Sequence, residues 1–497
     1  MKIIRINSTD TVAVALESLA KGESVVVEGK TLVCLEDIPR GHKVALKNIN
    51  KGEKVVKYGC VIGAAVQDIL TGAHVHTHNL KTLLTETPVY HWTQPPVPAP
   101  YTSAPDIQAF RRKDGRIGVR NEIWIVPTVG CVNRTAQKLA DWADAEFAER
   151  NVDGVFAWTH PYGCSQMGDD HETTRTALAD LVKHPNAGAV LVVSLGCENN
   201  TLESFKSLLG EYAQDHERIR FLVTQESVDE IEDGKKLLME LAAHAEQVKR
   251  EPITADKLVI GMKCGGSDGL SGVTANALVG LICDMLTEFG ASVVLTEVPE
   301  MFGAEQMLMD RCENKELFDR TVRLIEDFKE YFRFYGQTVY ENPSPGNKAG
   351  GVTTLEDKSC GCVQKSGSSI VRGVYRYGER VPLGTGGLVL LEGPGNDIVS
   401  TTAMTAAGVH LILFTTGRGT PLGAPVPTIK IASNSELAQK KPNWIDFDAS
   451  RLLSEDAPAL CAELLQLILD TACGKVQTKN ELNDYREIAV FKNGVTL

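Results

Sequence analysis

The sequence predicts a multidomain α/β protein: a small all-β domain first, then two α/β domains with largely parallel sheets. Three observations carry this reading. Residues 1–85 hold short β-rich runs cut by glycine turns, a proline-rich stretch follows, and from Glu122 apolar strand-length runs alternate with helical segments. A chain of 497 residues has room for about three domains.

In the first domain the runs Ser24 to Val27, Thr31 to Leu35 and Lys54 to Lys57 are punctuated by Lys21-Gly22, Arg40-Gly41, Lys51-Gly52 and Thr71-Gly72, the pattern of short strands joined by tight turns. The stretch Gln94 to Pro100 carries four prolines and reads as a stiff extended linker. Beyond it, Ile123 to Val126, Val155 to Trp158 and Ala189 to Leu195 are apolar strands. Each is followed by a Gly-Cys pair and a helical run. Arg220 to Val223 and Lys257 to Met262 extend the series. Ala291 to Thr296, Gly387 to Leu391, His410 to Thr415 and Thr428 to Ile431 continue it. Continuous apolar strands with helical crossovers mean parallel sheets covered on both faces. The polar segment Gln247 to Pro252 marks a second boundary. The expected division is therefore a β domain at 1–85, a linker at 86–108, a middle domain at 109–252 and a C-terminal domain at 253–497.

A net charge of −13 and a pI near 5.4 argue against nucleic acid or an anionic membrane as partner. The first seven residues alternate like a strand and carry no signal-peptide pattern. Apolar runs such as Ala189 to Leu195 fall far short of the roughly 20 residues a span needs. The expected location is the cytoplasm, where twelve cysteines are not a disulfide framework.

Cysteine placement is the best local signal. Cys131, Cys164 and Cys197 are spaced 33 residues apart, and each follows a glycine after a predicted strand. Cys264 follows a fourth strand and precedes Gly265-Gly266. Ligands of open parallel sheets bind outside the carboxyl ends of the strands, where thiolates suit soft metals or iron–sulfur clusters. The bland alternative is four small buried residues at tight turns. His74-Val75-His76-Thr77-His78 reads as a strand with its histidines on one face, about 7 Å apart at Cα, so that His74 and His76 reach one metal. An exposed polar face is the alternative. Glycine-rich loops at Cys264 to Gly269, Gly393 to Asp397 and Gly417 to Pro421 can approach an anion, and Arg418 can grip a carboxylate bidentately. Titratable groups nearby in sequence are His160, Asp169, Asp170, His171, Glu198, Asp268, Glu297 and Glu300.

Long motifs then add what spacing cannot. Arg40 to Leu46, His74 to Asn79, Gly118 to Glu122, Thr128 to Asn133, Tyr162 to Gln166, Gly196 to Asn200, Cys264 to Gly272, Glu297 to Glu305, Asn342 to Gly351 and Gly417 to Pro421 closely resemble the altronate/galactarate dehydratase family almost end to end. The resemblance implies a SAF-like N-terminal β domain, a middle domain and a larger C-terminal domain. It implies a hydro-lyase that removes water from a sugar acid, dependent on iron(II). The His74 to Asn79 segment looks more like the altronate members, so D-altronate is the expected substrate and 2-dehydro-3-deoxy-D-gluconate the expected product, in galacturonate breakdown. Galactarate, or another aldonate or aldarate, is the alternative.

The candidate acid–base residues are His160, Asp268 and Glu297. The candidate substrate ligands are Arg120, Asn121, Asn199, Ser267 and Arg418. The candidate metal ligands are His74, His76, Cys131, Cys164, Cys197 and Cys264. Mononuclear Fe(2+), an iron–sulfur cluster and Mn(2+) stay open as the cofactor. The expected partner is a small sugar acid, with no nucleic acid and no membrane, and a homodimer is left open. A rival from another class is a sugar-acid or iron-binding protein without turnover.

Overall fold

The computed structural model describes residues 2–84, 88–97, 99–339 and 343–494. Residues 3–81 form antiparallel strands only. One sheet runs Ile3–Ile4, Val12–Ala15, Lys43–Ala45, His74–Val75 in spatial order, beside a hairpin of Ser24–Val27 with Lys30–Val33. A three-stranded sheet of Lys54–Lys57, Cys60–Ala65 and Leu80–Lys81 completes the domain. Side chains alternate across each strand: Val25 and Leu32 are buried while Val26 and Val33 face solvent.

The described residues between 88 and 105 have no regular structure yet lie against the C-terminal domain. Tyr90 donates to Glu326 (2.9 Å), and Gln306 exchanges two hydrogen bonds with the His91 backbone. Residues 85–87 and 98, which include the expected end of the first domain and part of the linker, lie outside the described residues. The linker's expected end at 108 is corrected: Asp106–Arg111 is a strand, paired antiparallel with Glu251–Thr254 and with Ile117–Gly118. Ile107 and Ala109 point inward and Asp106 and Gln108 outward, a two-residue alternation that the flanking prolines obscured. The pairing closes the two ends of the middle domain on each other and turns the polar boundary near 252 into a strand.

In the middle domain β1 (Glu122–Pro127), β2 (Val155–Ala157), β3 (Ala187–Ser194) and β4 (Ile219–Val223) form a parallel sheet ordered β2-β1-β3-β4. Both faces are covered: Ile123 and Ile125 pack with Leu139 and Leu238, whereas Trp124 and Val126 pack with Leu178 and Phe205. That explains the uninterrupted apolar strands.

The C-terminal domain carries β5 (Val259–Cys264), β6 (Ser292–Leu295), β7 (Val371–Tyr375), β8 (Gly387–Leu391), β9 (Leu411–Thr416), β10 (Thr428–Ala432) and β11 (Phe447–Asp448). The sheet is parallel throughout, ordered β7-β8-β6-β5-β9-β10-β11. Only β7 and β11 escape the sequence pattern, since Arg372 and Gly373 interrupt one and the other has two residues. The chain builds outward from β5 to one side, then returns to build β9, β10 and β11 on the other. The direction reverses between β5 and β9, and a reversal of this kind opens a crevice at the carboxyl ends of the two strands. Among the described residues no helix is long and apolar enough to cross a membrane.

Candidate active site at the junction of the N- and C-terminal domains

The crevice between β5 and β9 is occupied by their following loops. A cleft of about 350 Å³ opens there, lined by Asp268, Gly417, Arg418 and Asn434, with Gly350 and, from the β domain, Arg40 and Gly41. The backbones meet closely. A Cβ at Gly41 would lie 2.9 Å from the Gly350 oxygen, and one at Gly269 would lie 1.9 Å from the Gly41 oxygen. Gly41 also has φ +83°, so it is glycine for both space and conformation.

Asp268 is fixed from several directions. It accepts from Ser271 Oγ (2.8 Å), Ser433 Oγ (2.9 Å), Leu270 N (3.2 Å) and Asn434 Nδ2 (3.1 Å). Arg418 is tethered by its backbone N–H to the Gly266 carbonyl (3.0 Å). Its guanidinium is exposed and makes no ion pair or hydrogen bond among the described residues. A fixed carboxylate and an unpaired fork of donors therefore face one cleft. Ser267 is buried in the same loop, with its carbonyl held by Asn347 Nδ2 (2.7 Å).

The histidine segment departs from the expected straight strand. The strand stops at Val75, and His76 to Asn79 is a bend and turn closed by Asn79 Oδ1 accepting from His76 N (2.9 Å). The bend stacks His74 on His76 with ring centroids 5.4 Å apart, with His78 5.5 Å from His74. A third partner that sequence reasoning missed, His42, immediately precedes the neighbouring strand Lys43–Ala45: its ring lies 4.7 Å from His76, and its Nδ1 is 3.0 Å from His74 Nε2. One ligand nitrogen from each of His42, His74 and His76 lies within 4.8 Å of the others.

These donors fit a metal ion. His42 Nε2 donates to the Ala349 carbonyl (3.3 Å), which leaves Nδ1 as a bare lone pair, the arrangement typical of a ligating histidine. Two nitrogens each about 2.1 Å from an ion at a right angle stand about 3.0 Å apart, close to the His42–His74 spacing. His76 Nδ1 is buried without a hydrogen-bond partner among the described residues. Burial, with the neighbouring rings and Lys43, pushes His74 down to about 3 and His76 to about 4, so both rings are held neutral, the form that can bind an ion. The trio and the cleft share two segments: Gly41 and Gly350 line the cleft, while His42 and the Ala349 carbonyl belong to the trio.

The β domain is held over this site by buried charge. Asp357 accepts from Lys43 Nζ (2.8 Å) and Lys57 Nζ (3.0 Å), and all three are buried. The two ammonium groups hold the Asp357 carboxyl well below the usual carboxylate range.

Other expected site residues fall elsewhere. Cys264 ends β5, but it is buried in a different sheet from the other three cysteines. Its Sγ lies 3.3 Å from Cys362 Sγ and 3.0 Å from Glu300 Oε2, with Lys358 on the other Glu300 oxygen (2.6 Å). Cys362, which is not among the four strand-end cysteines, thus shares a potential donor set with Cys264 and Glu300. Glu297 is buried under the same edge, bonded to Lys263 and Cys264 N (3.1 Å) with Lys365 3.6 Å away. Its left-handed backbone, φ +68°, is strained for a non-glycine residue. It does not line the cleft.

His160 does not line the cleft: Nε2 donates to the Pro127 carbonyl (2.8 Å) and Nδ1 accepts from Tyr162 N (3.2 Å), so both nitrogens are engaged. Arg120 and Asn121 do not line the cleft either. They precede β1, at the amino edge of the middle sheet, away from the cleft. Arg120 is buried on Glu481 (2.7 Å) and the Thr471 carbonyl (2.8 Å), and Asn121 on the Ala245 carbonyl (2.9 Å). A motif-rich segment served domain packing there. Asn199 accepts from Ser165 N (2.8 Å) in the middle domain. Cys131, Cys164 and Cys197 are exposed at the carboxyl edge of that domain's sheet.

Three family descriptions match this architecture in order. The Altronate/galactarate dehydratase SAF domain matches residues 1–83, the second domain of D-galactarate dehydratase/Altronate hydrolase matches 109–246, and the C-terminal domain of D-galactarate/Altronate dehydratase matches 255–496. The chain belongs to this family. It is 52% identical to the altronate dehydratase of Escherichia coli (strain K12), over 100% of both chains. It is 49% identical to that of Bacillus subtilis (strain 168), over 99% of each. The galactarate dehydratase (L-threo-forming) of Escherichia coli (strain K12) is 33% identical over 98% of this chain and 96% of that one. The family's SAF domain is thus the β domain whose Gly41, His42, His74 and His76 build one wall of the site.

Proposed function

We propose that this protein is a hydro-lyase that removes water from D-altronate to give 2-dehydro-3-deoxy-D-gluconate, with iron(II) held by His42, His74 and His76. The observation that carries the substrate is the gap in identity: about half the residues are shared, over full length, with two proteins named altronate dehydratase, against a third with the one named galactarate dehydratase.

The reaction takes a proton from C2 and hydroxide from C3, and the resulting enol becomes a 2-keto acid. Its difficulty is the weak acidity of a C–H next to a carboxylate that is already negative. Arg418, with no acceptor among the described residues, grips that carboxylate and lowers the cost of charge developing on it. Of the three acid–base candidates Asp268 alone lines the cleft. Its four donors fix its direction, which suits a positioned base at C2. Iron(II) on the trio would supply Lewis acidity toward the carboxylate and the adjacent hydroxyl. The β domain, docked through Lys43, Lys57 and Asp357, closes the cleft from above and limits water. The protein is proposed to act in the cytoplasm, in galacturonate breakdown. The test is release of 2-keto acid from a panel of aldonates and aldarates by protein loaded anaerobically with iron(II). Binding of D-altronate without turnover would favour a sugar-acid-binding protein instead.

A further inference from the structure

We propose that Cys131, Cys164 and Cys197 form a three-thiolate site for an iron–sulfur cluster in the middle domain, separate from the histidine trio. Of twelve cysteines, these three are the exposed ones. Free cysteine is among the most buried residue types, so three exposed thiols on one sheet edge call for a reason. They follow β1, β2 and β3, which are adjacent in the sheet.

Their loops are bonded to one another. Gly130 N donates to the Tyr162 carbonyl (2.8 Å), Asn200 N to the Gly163 carbonyl (3.1 Å), Asn200 Nδ2 to the Thr128 carbonyl (3.2 Å), and Ser165 N to Asn199 Oδ1 (2.8 Å). Each cysteine is thus next to, or within three residues of, a residue bonded to a neighbouring cysteine loop. The bonds hold the loops rigid. Glu198, beside Cys197, turns inward onto Thr128 Oγ1 (2.6 Å), Ser194 Oγ (2.6 Å) and Gly196 N (2.7 Å). It anchors the loop and leaves the thiol outward.

The surroundings suit an anionic sulfur-rich group. Three helices start just after the cysteines, at Asn133, Gly168 and Leu202, and the first two lack a side-chain cap. Helix N-termini favour negative charge. Gln225 Nε2 lies 3.4 Å from Cys197 Sγ, an N–H···S contact of the kind that tunes clusters. A single ion fits less well. The donor sets that close to within 4.8 Å among the described residues do not include this trio, whereas a cluster spans more than one metal atom. On assembly the three thiols each lose a proton, and two ferrous ions, two ferric ions and four inorganic sulfides supply the cuboidal core with no net change of oxidation state. Three protein thiolates leave one iron of a cuboidal cluster open to an oxygen ligand.

The test is anaerobic purification followed by iron, zinc and acid-labile sulfide analysis, with visible absorption before and after dithionite. The expected result is iron and sulfide in near-equal amounts and a bleachable visible band. Both are lost in the Cys131→Ser/Cys164→Ser double variant and kept in Cys473→Ser, with unchanged circular dichroism in each. Alkylation should spare the three thiols in the intact protein and label them after chelation. Absence of sulfide both as isolated and after reconstitution with ferrous and ferric iron and sulfide overturns the proposal. So does zinc in place of iron, or retention of the cluster in the double variant. His76→Ala should leave sulfide unchanged, so failure of the histidine site and failure of this one are told apart.

Discussion

Replacing Arg418 tests the carboxylate grip in isolation, because its guanidinium has no partner to orphan among the described residues. A bidentate guanidinium–carboxylate pair contains two charge-assisted hydrogen bonds, each worth about 1.5–3 kcal/mol. The exposed position of Arg418 and its screening by solvent favour the lower figure. Arg418→Ala should then cost about 3 kcal/mol of transition-state stabilisation, which is roughly a hundredfold in kcat/KM. Arg418→Lys keeps the charge but not the fork, and losing one bond of about 1.5 kcal/mol means roughly tenfold. Stability should change by no more than about 0.5 kcal/mol in either variant, since the anchoring bond to Gly266 is made by the backbone. The assay is steady-state keto-acid release from D-altronate beside a denaturant melt. Near-wild-type kinetics in Arg418→Ala would remove the residue from the site. A large loss of stability would show that the guanidinium has a structural partner instead.

Three further outcomes follow from the same geometry. His76→Ala should lower bound iron and turnover together while the fold survives, since the ring is a ligand; full iron with low turnover would make the histidines substrate contacts. Asp357→Ala leaves the buried Lys43 and Lys57 without a carboxylate and should cost about 3–5 kcal/mol, read as a shift in a urea transition; an unchanged midpoint would deny that this ion pair docks the β domain. Arg120→Met should lower stability by about 3 kcal/mol by stranding Glu481 but leave KM for D-altronate unchanged; a raised KM would return Arg120 to the site.

The parallel sheets were legible because buried strands such as Ala187–Ser194 are apolar throughout and their helices follow at regular intervals. The polar strand Glu251–Thr254 was not, since its partner Asp106–Arg111 lies far away in sequence and no local pattern reports a long-range pairing. At the site, Arg418 and Asp268 were readable from glycine-rich loops at strand ends. His42 was not, because nothing near Gly41 in sequence says that the fold will bring it against His74. Spacing alone grouped Cys264 with the other three cysteines. The sheets then separated them, since a strand-end position is shared by every strand of every parallel sheet and carries no domain label. Arg120 and Asn121 sat in a motif beside a strand, and only the strand's direction shows that they lie at its amino end, where they serve packing.

The central claim is dehydration of D-altronate, and it is tested most directly by measuring kcat/KM for D-altronate and galactarate side by side, with iron(II) and a reductant under anaerobic conditions. The expected result is formation of the 2-keto-3-deoxy product with a clear preference for D-altronate. A preference for galactarate would contradict the substrate, and no turnover of either acid would contradict the proposed reaction itself.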